Sequence, residues 1–350
     1  MIVQHSRPTI DQDDIEAVSR TLASGNIAQG AKVREFEQGV ASFVGSKYAV
    51  ACSSGTSALH LAMIGLGLKN RDEIIMPSFV CASPYFAALN AGLRPKIVDI
   101  DRSDLNISTQ TVKKRLSNKT KAIIAPHMFG NPAELEELLE LEIPLIEDCA
   151  QSLGATYRNA KVGSFGVLSV LSFYATKMIT TGEGGMVLTN SSECYSKIID
   201  ARDYDRKALS PTKYNYKMTD FQAALGLSQL EKLQQFIETR RKIASVYNSQ
   251  FSDCSIQTPR EHFHKKSVYF RYVVMVDNAS KIEKQAKEKG VACEKPVWKP
   301  IHQNLQYERC PNTDYAHKHS LSIPLYPSLK PEEIEYVTKT MKRVFNNTCS

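Results

Sequence analysis

Short apolar runs alternate with amphipathic runs through the first two thirds of this 350-residue chain. After Tyr48–Cys52, for example, Leu59, Ala62, Met63 and Leu66 have i, i+3, i+4, i+7 spacing, which marks one helix face. Such alternation is typical of parallel βαβ units, in which helices cover both faces of a sheet. We therefore predict an α/β fold with a mostly parallel sheet. The later strand-like runs are DEIIMPSF, RPKIVDID, TKAIIAPHMFG, IPLIEDCAQ, VLSVLSFY and GGMVLTN.

The pattern changes from Asp220 onward. A stretch without proline, residues 220–251, predicts one long helix or two abutting helices. The strand-like VYFRYVVMV, the helix-like KIEKQAKEKG and a terminal helix that begins near Pro331 follow it. We predict a large domain over residues 1–235 and a smaller α+β domain over residues 236–350.

Composition excludes several classes of protein. The chain is 42% hydrophobic and 23% charged, which fits a globular protein with a large core. The sequence contains no run of about 18 apolar residues, so no membrane span is predicted. The N-terminal MIVQHSRPTIDQDDIEAV lacks the apolar stretch of a signal peptide, so secretion is not expected. The net charge of +7 suits a solvated surface or weak attraction of an anionic substrate, and no motif predicts nucleic-acid binding.

The eight cysteines predict neither a disulfide framework nor a metal site. They form no CxxC pair and no His/Cys cluster with zinc-finger spacing. Reduced, mostly buried thiols in a cytoplasmic protein fit best. The cysteines are Cys52, Cys81, Cys149, Cys194, Cys254, Cys293, Cys310 and Cys349.

Two predicted strands end in polar groups. The groups after one strand could bind an anion, and those at the end of the other could bind a cation. In parallel sheets, ligands bind at the carboxyl ends of the strands. Ser53–Ser57 (SSGTS) lies at a strand-to-helix junction, which predicts either a helix N-terminal anion site or an ordinary N-cap. Glu147 and Asp148 end a buried strand, where a carboxylate requires a cationic or hydrogen-bonding partner. A cap or a structural ion pair is the alternative interpretation.

Lys177 and a glycine cluster follow the strand VLSVLSFY. Desolvation at this position would lower the pKa of Lys177 and make it a usable amine, whereas a lone loop lysine is usually a surface residue. Gly182–Gly185 (GEGG) permits close backbone approach or forms a plain hairpin turn. An anion-binding helix start, a strand-end acid and a strand-end lysine together meet the requirements of a pyridoxal 5′-phosphate (PLP) site.

The chain resembles the DegT/DnrJ/EryC1/StrS family of PLP-dependent sugar aminotransferases, a branch of the fold type I enzymes. The resemblance extends from about residue 24 to residue 338, and the combination EDxAQ…SFxxxK…GEGG is highly specific to it. It implies a seven-stranded, mostly parallel sheet flanked by helices, with a smaller C-terminal α+β domain. The other matching segments are SGNIAQGAKVREFEQGVASFVG, YAVACSSGTSALHLAM, NYKMTDFQAALGLSQL and SIPLYPSLKPEEIEYV.

The resemblance implies a role for each matching residue. Lys177 forms the Schiff base with PLP and moves the reacting proton, and Asp148 pairs with the pyridine nitrogen. Gln151 lies near the ring, and Asn215 reaches a phosphate across a homodimer interface, so that the active sites are shared. His302 lies on the side of the sugar nucleotide, or is a satisfied structural histidine. The phosphate group is held by Ser172, Gly55, Thr56 and Ser57.

Other positions bear on the reaction. Some family members have His at the Schiff-base position and act as dehydratases, so Lys177 favours amino transfer. Thr176 stands where cysteine desulfurases usually have His, which argues against desulfuration. Cys81 occupies the position of an aromatic that stacks on the ring, so that cofactor retention is weaker or Phe79 serves instead. Lys217 replaces a family arginine, and the segment RDYDRK lacks a glycine that the family often has.

The predicted reaction is ping-pong transamination from an amino acid, L-glutamate by expectation, to a nucleotide-linked keto-deoxysugar. One alternative is a PLP-dependent dehydratase or an aminotransferase for a non-sugar ketone. Another is a catalytically silent PLP-binding regulatory protein. We expect a homodimer that binds neither nucleic acid nor membrane.

Overall fold

The computed structural model describes residues 1–205, 207–208, 212–260, 262–305 and 309–346. Its helices are α1 (Gln12–Ala23), α2 (Ala31–Val44), α3 (Gly55–Gly65), α4 (Ser83–Asn90), α5 (Thr109–Arg115), α6 (Leu135–Leu139), α7 (Ser192–Arg202), α8 (Asp220–Gln250), α9 (Ala279–Glu288), α10 (Ile301–Leu305), α11 (Pro311–His319) and α12 (Pro331–Asn346). Its strands are β1 (Tyr48–Cys52), β2 (Glu73–Pro77), β3 (Arg94–Val98), β4 (Thr120–Pro126), β5 (Leu145–Asp148), β6 (Thr156–Tyr157), β7 (Ala160–Lys161), β8 (Leu168–Ser172), β9 (Gly185–Thr189), β10 (Lys265–Lys266), β11 (Tyr272–Met275) and β12 (Ser320–Ile323).

A seven-stranded sheet forms the centre of the fold, in the order β1-β9-β8-β5-β4-β2-β3. Strands β3, β2, β4, β5 and β8 are parallel, and β9 is antiparallel to both of its neighbours. Strand β1 therefore runs in the same direction as β8. Separate clusters of buried apolar side chains cover the two faces of this sheet. The predicted α/β class with a mostly parallel seven-stranded sheet is confirmed.

The C-terminal part has its own core. Strands β11 and β12 form an antiparallel pair, and α9, α12 and the end of α8 pack around it. Pro331 begins α12, as predicted, because proline is tolerated where the first helical N–H groups lack partners.

Helix α8 is one continuous helix of 31 residues. Thr219 and Gln222 form a capping box at its start. Leu233 packs in the core of the large sheet, whereas Tyr247 packs in the C-terminal core. The predicted boundary between residues 235 and 236 lies inside this helix, and the division into two domains stays a prediction.

Of the cysteines that the structure describes, Cys81 is exposed and the other six are buried. Cys349 lies outside the described residues. Across the described ranges, no helix has the length and apolar character needed to span a bilayer.

Candidate active site

The strands that carry the predicted site residues end at one edge of the sheet. Strands β1, β8 and β5 run in the same direction. Strands β8 and β5 are neighbours in the sheet, and only β9 separates β1 from β8. Their carboxyl ends therefore place the start of α3, Ser172 and Asp148 along one edge. Ligands of open α/β sheets bind at this kind of edge.

The start of α3 forms an anion cradle. Ser54 caps the helix by accepting a hydrogen bond from the Ser57 N–H at 3.1 Å. A Cβ atom at Gly55 would lie 2.9 Å from Ser172 Cβ, so only glycine allows this approach. Thr56 donates to or accepts from Ser83 at 2.7 Å. The structure therefore brings Gly55, Thr56, Ser57 and Ser172 together, and the first N–H groups of α3 suit a phosphate.

The glycine cluster after β8 forms a turn and also lets the backbone of β9 approach the backbone of Ser54 closely. Gly182 has φ +79°, which is the left-handed region that favours glycine. A Cβ atom at Gly185 would lie 2.2 Å from the Ser54 carbonyl oxygen. Strand β9 can therefore lie directly against the cap of α3, because Gly185 has no side chain.

Asp148 is a buried carboxylate whose side chain has one hydrogen-bond partner among the residues that the structure describes. Its Oδ1 accepts the Ala150 N–H at 3.0 Å. Burial raises the pKa of Asp148, while this N–H and the charge of Lys177 oppose the rise. A protonated pyridine nitrogen would supply the missing cation, so this residue fits the predicted cofactor.

Lys177 lies in the loop after β8 with its Nζ 5.1 Å from the centre of the Phe270 ring. Burial lowers the pKa of the Lys177 amine; the nearby Cys81 and Asp148 oppose this shift, and Arg271 adds to it. A larger fraction of neutral amine at neutral pH makes the residue a better nucleophile.

Cys81 lies on the same side as both charged groups. It has solvent contact, yet surrounding protein desolvates its thiol, and this raises the pKa of Cys81; Asp148 strengthens the rise. Phe79 is fully buried and packs edge to face on Phe129 at 6.2 Å. A ring without any exposed surface does not face an open cofactor site, so the suggestion that Phe79 replaces the stacking aromatic is wrong in this structure.

Gln151 orders the neighbouring loop. Its Oε1 accepts the Phe129 N–H at 2.9 Å. Phe129 has φ +59°, which is unusual for a residue with a side chain. This bond links a predicted cofactor residue to the end of β4.

Asn215 is exposed and forms an isolated bridge with Asp203. The next residue, Tyr216, accepts the Ser53 N–H at 2.8 Å, so this segment lies beside the anion cradle of its own chain. The reach of Asn215 into a partner subunit stays a prediction.

His302 is buried, with protein partners on both ring nitrogens. Nδ1 lies 2.6 Å from Ser78 Oγ, and Nε2 lies 3.1 Å from Asp314 Oδ1. This arrangement matches a satisfied structural histidine. A role in substrate binding stays a prediction.

The two departures near residue 205 are structurally linked. Lys217 contacts Asp203 at 3.0 Å and Asp205 at 2.5 Å. The lysine therefore ties down the RDYD part of the segment RDYDRK. Arg206 of this segment lies outside the described residues.

A buried network behind β5 was missed by the sequence analysis. Glu147 accepts N–H groups from Gly163, Phe165 and Gly166 at 2.7–2.8 Å. It also accepts from His127 at 3.2 Å. Only a fold that brings these distant segments together reveals such partners, although the paired acids at 147 and 148 signalled a buried carboxylate.

The same network contains a possible metal-ligand cluster. Within the described chain, His127, Glu147 and Cys149 place one ligand atom each within 4.8 Å of one another. Nδ1 of His127 accepts the Ala133 N–H at 3.0 Å, which leaves the ring proton on the nitrogen that faces Glu147. Burial raises the pKa of Cys149, so its thiol keeps its proton. We interpret the cluster as structural, and the expected absence of a metal stays a prediction.

A helix-start anion cradle, a desolvated lysine and a buried acid at one sheet edge define the class as a PLP-dependent transferase. A family model described as the DegT/DnrJ/EryC1/StrS aminotransferase family matches residues 8–342. The chain belongs to this family, and the predictions of an aminotransferase and of PLP as its cofactor are confirmed.

Named proteins agree with this assignment. GDP-perosamine synthase of Escherichia coli O157:H7 is 31% identical, over 97% of this chain and 98% of that protein. The solved structure of Helicobacter pylori PseC, an aminotransferase of pseudoaminic acid biosynthesis, is 27% identical with a TM-score of 0.93, over 99% and 100% of the two chains. E. coli GDP-4-keto-6-deoxy-D-mannose-3-dehydratase with bound hydrated PLP is 27% identical with a TM-score of 0.90, over 98% and 100%.

Proposed function

We propose that this enzyme transfers an amino group from L-glutamate to a nucleotide-linked keto-deoxysugar by ping-pong transamination. Overall, the sugar C=O becomes CH–NH₂ and glutamate becomes 2-oxoglutarate. The observation that carries the proposal is that the desolvated amine of Lys177 and the buried carboxylate of Asp148 lie close enough to interact electrostatically. The relative named GDP-perosamine synthase supports a nucleotide sugar as the acceptor.

When bound, PLP supplies an aldehyde that reacts with amines and a ring that accepts electrons. The protein's own groups do the rest. Lys177 holds the cofactor and moves the proton that leaves and returns to the amino-bearing carbon. Asp148 keeps the ring nitrogen protonated, and the start of α3 with Ser172 binds the phosphate group.

A homodimer with shared sites belongs to this proposal. Asn215 is exposed on a segment that lies beside the anion cradle, where a neighbouring subunit can be reached. We expect the enzyme in the cytoplasm, because Cys52, Cys149, Cys194 and Cys293 are buried free thiols.

Dehydration is the second candidate, because one structural neighbour is a 3-dehydratase. Lys177 opposes this candidate, since its amine provides the Schiff-base group and proton carrier that amino transfer uses.

The test is to incubate the PLP-loaded protein with glutamate and a panel of nucleotide 3-keto- and 4-keto-6-deoxysugars. Mass spectrometry should show NH₂ in place of the keto oxygen, with one 2-oxoglutarate formed for each amino sugar. Loss of a sugar hydroxyl without a retained amino group would favour dehydration. A protein that does not bind PLP would contradict both candidates.

A further inference from the structure

A cavity of about 400 Å³ adjoins the predicted cofactor site, and this volume lies in the range of small-molecule pockets. Phe129, which is hydrogen-bonded to Gln151, and Arg271 both line it. The Arg271 guanidinium and the Lys177 amine contact the same ring, at 5.3 and 5.1 Å from the centre of Phe270. Arg271 of the cavity lining and Lys177 are therefore both next to the Phe270 ring, which does not itself line the cavity.

Arg271 brings a positive charge to this wall that a neutral ring holds in place. Its Nη1 lies 2.9 Å from Nε2 of His5, and the other ring nitrogen, Nδ1, lies 3.1 Å from Glu294. Burial lowers the pKa of His5, which favours the neutral ring that can accept from a guanidinium. Among the described residues, no carboxylate lies within ion-pair distance of Arg271, and the charge of Glu294 compensates it only partly from beyond the His5 ring. A partly desolvated guanidinium of this kind gains from a second anion.

Backbone strain occurs at two aromatic residues of the cavity. Phe129 has φ +59° and Tyr269 has φ +49°. Strained conformations of this kind cluster at ligand sites. Hydrogen bonds from Arg271 N to Phe129 O at 3.4 Å and from Val268 N to Gly130 O at 3.1 Å join the two strained segments. The fold therefore fixes Arg271 against the end of β4.

Two further arginines line the same cavity and are exposed, namely Arg102 and Arg260. The Arg102 guanidinium lies over the Tyr315 ring, 3.4 Å from its centre. The ring restricts this side chain, so less conformational freedom is lost when the guanidinium binds an anion.

The acids of the lining do not cancel these charges. Asp104 pairs with buried Lys265 at 2.9 Å, so its charge is already compensated. Asp101 binds the N–H and hydroxyl of Ser103 at 2.7 and 2.6 Å. Three guanidinium groups thus face Asp101 in the lining and Glu294 beside Arg271, and the remaining positive charge favours an anionic ligand.

We propose that this cavity binds the diphosphate of the nucleotide-linked sugar, with Arg271 as the inner anchor and Arg102 and Arg260 as outer contacts. This inference rests on the proposed function. The diphosphate is attached to the anomeric carbon, so it lies within one sugar ring of a keto carbon held at Lys177. Guanidinium forks bind phosphate oxygens with two parallel hydrogen bonds, which suits this group.

The test uses the PLP-loaded protein and measures the binding of UDP, GDP and dTDP, each alone, by titration calorimetry. At least one should bind, and Arg271→Met should weaken it by at least about 30-fold, since a partner of a desolvated charge pair is lost. Arg102→Met and Arg260→Met should each weaken it by about two- to fivefold, as expected of exposed charges. Arg343→Met, on the exposed side of α12, is the matched control and should change nothing.

The glutamate half-reaction, followed by the absorbance of the cofactor, separates the possible outcomes. In Arg271→Met its glutamate KM should stay that of wild type, whereas its rate should change because Arg271 acts on the pKa of Lys177. A raised glutamate KM with unchanged nucleotide binding would overturn the proposal and assign Arg271 to the donor carboxylate. A half-reaction in wild type without any nucleotide binding would overturn it and leave the proposed function intact. Nucleotide binding that depends on Arg271, without a half-reaction, would support the cavity and contradict the proposed function.

Arg271→Lys is the second variant if the methionine variant does not fold. It keeps the charge and removes the fork, so an intermediate loss of nucleotide affinity supports the proposal. The double variant Arg102→Met/Arg260→Met changes exposed side chains only. Unchanged nucleotide affinity in both variants would overturn the proposal.

Discussion

Glu147 and Asp148 are consecutive residues of β5 that point to opposite faces of the sheet, and they meet opposite environments. Glu147 accepts three backbone N–H groups and the His127 ring, so its oxygens are fully used inside the protein. Among the described residues, Asp148 accepts one N–H group, that of Ala150, and it interacts with the charge of Lys177. Burial is similar at both positions, at 0% and 7% exposed.

The difference separates a structural acid from a functional one. A buried carboxylate with all its hydrogen bonds made fixes the segments around it. A buried carboxylate with partners missing keeps a cost that a bound cation removes. Substitutions of the two neighbouring acids should therefore have different effects. A change at residue 147 should lower the free energy of unfolding, and a change at residue 148 should lower the activity.

The largest effect is expected when the cation that faces Asp148 is removed. Lys177→Ala should lower turnover by about 10⁴-fold, because no side chain then moves the reacting proton. Borohydride reduction followed by mass spectrometry should attach the cofactor to wild type and not to the variant. Lys121→Ala, an exposed residue of β4, is the control. Covalent attachment in Lys177→Ala would show that another amine is used.

Glu147→Gln should destabilise the protein by about 3–5 kcal/mol, because an amide NH₂ then faces N–H donors in a buried site. Urea unfolding of the cofactor-free protein measures this as a lower midpoint with an unchanged slope. Glu136→Gln breaks the exposed pair with Arg158 and should have almost no effect. Equal stability of both variants would remove the distinction between the two acids of β5.

Asp148→Asn should lower the rate of amino transfer by about 10²–10³-fold, the usual cost of losing one electrostatic partner. The amide keeps an acceptor for the Ala150 N–H, so folding should persist. Initial rates at saturating cofactor test this expectation, and a rate within threefold of wild type would argue against pairing with the ring nitrogen.

The same substitution should stabilise the cofactor-free protein near neutral pH. Burial raises the pKa of Asp148, so the folded state takes up a proton and wild-type stability falls as pH rises through that pKa. Asparagine does not titrate, so the gain should vanish below the usual aspartate range and grow towards pH 7. Melting curves at several pH values measure it, at about 2 °C for each kcal/mol. A gain confined to acidic pH would have the wrong sign.

The smallest effect concerns Cys81, which shares the electrostatic surroundings of Lys177 and Asp148. Cys81→Phe should tighten PLP binding by about two- to tenfold, because an aromatic ring adds stacking area. Cofactor titration measures the change, with Cys310→Ala as a buried-thiol control that leaves the site unchanged. Weaker binding in Cys81→Phe would show that the site lacks room for a ring.

Local patterns predicted what is encoded locally. Alternating apolar runs predicted the strands, and the junction SSGTS predicted the cap that Ser54 provides. The site residues Asp148 and Lys177 were found because strand ends of a parallel sheet meet at one edge. Family resemblance supplied the roles, which spacing alone left open.

The missed features all depend on contacts between distant segments. The partners of Glu147 come from residues 127 and 163–166, and Arg271 becomes a candidate only beside Phe270 and the cavity. The sequence left open whether one helix or two abutting helices cross residue 235, because composition shifts mark domains without showing which helix crosses them.

Helix α8 joins the core of the large sheet to the C-terminal core, so its rigidity fixes the distance between Lys177 on one side and Arg271 on the other. At about 1.5 Å for each residue, its 31 residues form a rod roughly 46 Å long that is rooted in two cores. In the C-terminal third of this helix, Arg240 donates to the carbonyl oxygens of Phe270 and Leu325 at 3.1 and 3.0 Å. Burial lowers the pKa of Arg240 to about 9. Arg240 therefore fixes the backbone next to Arg271 to a helix that also packs against the large sheet. The distance between the Lys177 amine and the Arg271 guanidinium is thus set before a substrate binds.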